Sequence, residues 1–113
     1  MSAQNLSHEQ LAMYMTPEEI KEKYAVRDPE YHDHELTDTE VYNRKKEESK
    51  KINIEGWPKK TKKGQESLFR HIQKHGVREP VNLNVEDKEV IDGHHRIASA
   101  PSNSLIPVEY GSN

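Results

Sequence analysis

The sequence predicts an α+β domain over residues 64–113, preceded by an acidic helical N-terminal extension and a basic linker over residues 1–63. Three observations carry this prediction. Of the 21 Leu, Ile, Val and Phe residues in the chain of 113, 13 lie in residues 64–113 and only eight in residues 1–63. Helical spacing and strict two-residue alternation follow one another in the second part. The first part carries explicit helix-start signals but little apolar periodicity. So small an interior suits completion by a partner or by self-association, and a homo-oligomer is compatible with it.

The elements follow in order. Ser7 with Gln10 makes a capping box ahead of Leu11. Thr16-Pro17-Glu18-Glu19 is a stronger start: Thr16 at the N-cap, Pro17 at the first helical position, Glu19 closing the box, and Met15 with Ile20 as the hydrophobic staple. The helix runs to about Tyr24. Thr37 and Glu40 repeat the device with Leu36 and Val41 as the staple, opening a helix from Asp38 to about Lys51 supported by Glu40–Arg44 and Glu47–Lys51 pairs. That helix has almost no apolar stripe, so it is expected to be exposed or to pack against something outside this chain. Residues 52–64 read as a linker in which Trp57 is a surface anchor, and Lys59, Lys60, Lys62 and Lys63 form either a solvated run or a polyanion contact.

In the second part, residues 65–75 fit a helix with Leu68, Phe69 and Ile72 on one face, His75 as a favourable cation at its C-terminus and Gly76 as its cap. Residues 80–85 alternate, with Val81, Leu83 and Val85 to one side and Asn82 and Asn84 to the other. Pro80 stands at the start, where a missing N–H is tolerated. Glu86-Asp87-Lys88 is a turn and Glu89-Val90-Ile91 a returning strand. Gly93 breaks that strand, residues 94–100 suit a short helix ended by Pro101, and Ile106–Tyr110 is a third strand. Pro107 marks it as an edge strand.

Composition excludes several classes of function. There is no cysteine, so disulfide scaffolds, Cys-ligated zinc and thiol catalysis are out. No apolar run reaches membrane-spanning length and no signal-peptide pattern opens the chain, so a cytoplasmic location without membrane association is expected. The net charge of −3 hides three blocks: −7 over residues 1–43, +6 over residues 44–63 and −2 over residues 64–113.

The most informative stretch is Val90-Ile91-Asp92-Gly93-His94-His95-Arg96-Ile97-Ala98. A strand ends, a glycine turns the chain, and a helix opens on polar residues. Free amides and the helix dipole there favour an anion, Gly93 permits close approach, Arg96 can donate a two-pronged pair of hydrogen bonds, and His94 or His95 can add a donor. The equally weighted alternative is a capped helix with a surface Arg–carboxylate pair. A second constellation, Tyr31-His32-Asp33-His34-Glu35, has metal-ligand composition but no second spaced pair, and reads first as an acidic exposed loop.

The segment from Ser67 to Gly111 resembles the ParB/sulfiredoxin superfamily. The resemblance rests on the helix Ser-Leu-Phe-Arg-His-Ile-Gln-Lys-His, then Gly76-Val77-x-x-Pro80-Val81, a hairpin, Ile91-Asp92-Gly93-His94-His95-Arg96-Ile97-Ala98, and Ile106-Pro107-Val108. It implies a small mixed sheet with flanking helices, similar to ParB-like nuclease domains in small single-domain variants of phage or plasmid type. It also implies nucleotide phosphate binding by Gly93, His94, His95 and Arg96. Ser67 and His71 would face the nucleotide from the preceding helix, His71 being on residue type alone a satisfied boundary residue. Arg78 and Glu79 would lie at a further ligand contact. The implied ligand is a nucleotide, ATP or CTP, with a divalent metal as an optional companion.

Departures from the family pattern narrow the reading. His94 stands where sulfiredoxins carry cysteine, so sulfinic acid reduction is excluded. The helix-turn-helix of partitioning ParB proteins would follow this module, and the sequence stops at Asn113, so operator binding by that route is not expected. In ParB-like serine kinases acidic residues activate the hydroxyl; Glu89, Asp92 and Glu109 are available here. Three functions from different classes follow. One is a nucleotide-binding module with nuclease or phosphoryl-transfer activity. Another is a nucleic-acid-binding module using the lysine run. The last is a phage- or plasmid-type accessory protein that uses the fold as a scaffold for a host protein or DNA, with its acidic N-terminal helices docking on a protein partner.

Overall fold

Two capping boxes start the first two helices. The computed structural model describes residues 13–26, 36–55, 60–62 and 64–111. Strand β1 (Tyr14–Met15) leads into α1 (Pro17–Lys23), β2 (Ala25–Val26) follows, and α2 spans Asp38–Ser49. At α1 the Thr16 hydroxyl accepts from the Glu19 amide at 3.2 Å while the Glu19 carboxylate accepts from the Thr16 amide at 3.3 Å. Thr37 and Glu40 repeat this at α2. Met15 and Ile20, the predicted staple around α1, are both buried in the core. The Asp38 carboxylate accepts from the Val26 amide and so ties the start of α2 to β2.

Helix α3 (Leu68–His75) begins where the Ser67 hydroxyl accepts from the Arg70 amide at 3.1 Å. It ends at Gly76, whose φ of +75° and ψ of 178° suit glycine alone. The hairpin β3 (Val81–Asn84) and β4 (Glu89–Asp92) is closed by Asn84: its side-chain oxygen accepts from the Asp87 amide and its side-chain amide donates to the Asp87 carboxylate. Helix α4 (His94–Ser99) and β5 (Ile106–Tyr110) complete the described chain. The sheet order is β1-β5-β3-β4-β2. β5 with β3 and β4 with β2 are parallel, while β1 with β5 and β3 with β4 are antiparallel. Among the described residues this is an α+β architecture: one mixed five-stranded sheet and four helices.

Three expectations are corrected. β5 is not an edge strand, because β1 pairs alongside it and the Val108 amide donates to the Met13 carbonyl. Among the described residues the sheet edges are β1 and β2, each two residues long. Helix α2 is neither exposed nor reserved for another chain. It lies against α4, burying Val41, Tyr42, Lys45 and Ser49. Asn84, expected on the polar side of the strand opposite Val81, Leu83 and Val85, is buried, with both ends of its amide used within the turn. Ser7, Gln10, residues 31–35, Trp57, Lys59 and Lys63 lie outside the described residues.

The core draws on both parts of the sequence. Met15, Ile20 and Tyr24 from the first are as buried as Val81, Leu83, Val90, Ile97 and Ile106 from the second. The compositional change near residue 64 is therefore crossed by a single apolar cluster. No helix among the described residues is long and apolar enough to cross a membrane.

Candidate functional site

A cleft of about 580 Å³ opens between the end of α3, the loop 76–79 and the start of α4. That volume falls in the range of small-molecule sites. Gly93 places α4 there. Its φ is +106°, and a Cβ built on it would stand 2.6 Å from Val81 Cγ1, so the helix start presses directly on β3. Gly93 supplies no capping side chain, and the Ile97 amide donates to its carbonyl at 3.0 Å. Helix α4 has only six residues, so its dipole is weak beside the side chains around it.

His71, Arg78, Gly93, His94, His95 and Arg96, all singled out from sequence, line this one cleft. Lys45, Glu55, Glu79 and Asp92 line it too. Its fixed charges thus balance, three cations against three carboxylates, and each imidazole that takes up a proton tips it toward anions.

Arg96 is held within the protein. Its Nη1 donates to the Glu79 carbonyl at 3.1 Å and to the Pro80 carbonyl, and its Nη2 donates to Asp92 Oδ2 at 3.2 Å. The Arg–carboxylate pair weighed from sequence is thus present, and the guanidinium also staples loop 76–80 to α4. Asp92 is 73% exposed in its side chain, so that pair is open to water on the carboxylate side. His95 Nε2 lies 2.8 Å from Glu48 Oε1, and Lys45 Nζ lies 3.8 Å from the same oxygen. His94 is buried with its ring 6.4 Å from that of Tyr42. Burial, reinforced by the Asp38 carboxylate, holds the Tyr42 phenol above its ordinary range and therefore neutral.

The remaining predicted residues fall elsewhere. Ser67 caps α3 and does not line the cleft. Lys60 and Lys62 are exposed; the Lys60 backbone bridges to Ile52 and the Lys62 amide donates to Gln65. Arg78 and Glu79 are exposed at the cleft mouth.

Sequence reasoning missed two groups. Lys45 reaches the cleft, and Glu48 reaches His95, only because α2 docks on α4, and nothing local to residues 45–48 announces it. Glu66, His71 and His75 gather at α3, with His71 Nδ1 3.0 Å from Glu66 Oε1 and Lys74 Nζ 3.2 Å from Glu66 Oε2. The Lys74 ammonium, and after it His71, hydrogen-bonds the Glu66 carboxylate and holds it below the usual carboxylate range. The one-turn spacing of His71 and His75 was the available signal.

Compared with known proteins, the chain matches no protein-family model, no curated protein and no solved structure.

Proposed function

We propose that the cleft between α3 and α4 binds a phosphate-bearing ligand, a nucleotide such as ATP or CTP, in keeping with the resemblance to ParB/sulfiredoxin-like modules. The supporting observation is convergence: residues 71, 78 and 93–96, chosen from separate stretches of sequence, meet with Lys45 on one cleft of ligand size. Arg78, exposed at the mouth, contacts the phosphate. Lys45 and the three histidines supply further donors. Arg96 acts here as a positioning residue that fixes loop 76–80, and it reaches the ligand directly only by exchanging Asp92 for a phosphate oxygen. This is a reading of binding. Phosphoryl transfer or phosphodiester cleavage would need a group to activate a nucleophile, and the cleft carboxylates and imidazoles, among them Asp92 and the Glu48-paired His95, are groups with that chemistry.

ATP or CTP at about a hundredfold excess over Kd should stabilise the fold by roughly 2.7 kcal/mol, seen as a rise in Tm. Arg78→Ala should keep the unliganded Tm, because Arg78 is exposed, and shrink the rise. A wild-type Tm unmoved by saturating ATP, CTP and inorganic phosphate rejects the reading. That outcome favours the second one, a non-catalytic accessory protein that uses the fold to bind a host protein or DNA. The observation on its side is that Arg96 is satisfied internally.

A further inference from the structure

We propose that Glu66, His71 and His75 form a site for a first-row divalent cation of the zinc class at the rim of the cleft. His71 and His75 stand one turn apart on α3 with ring centroids 4.9 Å apart, and Glu66 immediately precedes the Ser67 cap. One ligand atom from each of the three lies within 4.8 Å of the others. Two imidazoles and one carboxylate are a donor set that suits zinc and its neighbours better than magnesium or calcium.

The surroundings fit that assignment. Lys74 holds Glu66 by Oε2, which leaves Oε1 directed at His71, an outer hydrogen bond of the kind that orients metal ligands. The ion pairs of Glu66 account for His71 and Lys74 but not for His75. That side chain is exposed, and among the described residues its contact is the His71 ring. Zinc ligands sit about 2.0–2.2 Å from the ion. The present spread therefore closes by turning His75, whose side chain is exposed. Three protein ligands leave a fourth position open. His71 also lines the cleft, so the site adjoins it. The site does not depend on the phosphate reading, and the two fail separately.

The test is titration of the full chain with zinc chloride alone, followed by calorimetry, with cobalt(II) as a spectroscopic probe. We expect one zinc per chain, a visible cobalt absorption of low-coordinate intensity, and displacement of cobalt by zinc but not by millimolar magnesium. His75→Ala should leave the metal-free Tm unchanged and weaken zinc binding at least as much as the roughly 10- to 100-fold lost with an outer-shell partner. Glu66→Gln should weaken it similarly. The double substitution His32→Ala, His34→Ala, in the other histidine cluster, should leave affinity unchanged. Zinc binding that survives His75→Ala, or vanishes with the His32/His34 double substitution, overturns the proposal, as does its absence from the wild type. A nucleotide-induced rise in Tm measured in chelator would persist in each of those cases.

Discussion

At Gly93 one missing methyl group decides how the cleft is built. Its positive φ would cost most side chains about 1–2 kcal/mol, and a Cβ would collide with Val81, which has no exposure into which to retreat. Gly93→Ala should therefore destabilise the protein by about 2–4 kcal/mol, strain and overpacking together, as read by chemical denaturation. A loss under about 1 kcal/mol would mean that β3 yields more readily than its burial implies. The need for glycine at position 93 was legible from sequence, because a strand ran into a helix there without a linking residue to spare. The backbone partners of Arg96 were not. Its two carbonyl acceptors lie 16 and 17 residues upstream, beyond the reach of any local pattern.

Among the elements, α2 shows most clearly how local rules and packing divide the work. Its start was readable to the residue, since a capping box needs only four positions in a row. Removing the hydroxyl by Thr37→Ala should cost about 1 kcal/mol, measured as a lower denaturation midpoint at unchanged slope, and Thr37→Ser should restore it. Its destination was not readable. The helix has few apolar residues, yet it buries the stem of Lys45 and the hydroxyl of Ser49, which donates to the Lys45 carbonyl at 2.7 Å. An amphipathic lysine can cover apolar surface while its ammonium finds a carboxylate, so a sparse stripe does not mean a solvated helix. Lys46 and Lys50 lie over the Phe69 ring at 5.7 and 5.3 Å and so join α2 to α3 through cations rather than aliphatics.

At the scale of the molecule, residues 13–26 and 36–55 are part of the fold. β1 and β2 supply both edges of the sheet, and Met15, Ile20 and Tyr24 are each 2% exposed or less. Burying each such side chain stabilises by about 1.5–3 kcal/mol, against a total for small domains of about 5–15 kcal/mol. Residues 64–113 produced alone should therefore show no cooperative thermal transition by circular dichroism, while the full chain does. A sharp transition in the fragment would show that the first 63 residues are dispensable to the core.

The sequence by itself determined the helix starts at Thr16 and Thr37, the hairpin around Glu86–Lys88 and the glycine turn at residue 93. Each depends on torsions and hydrogen bonds among residues within about five positions of one another. Only the tertiary structure decided which strands form the edges, that α2 covers α4, and that Lys45, His71, Arg78 and residues 93–96 share one cleft. Those outcomes depend on contacts between distant parts of the chain, where the gain is set by the burial of surfaces against each other and no short window of sequence contains both partners.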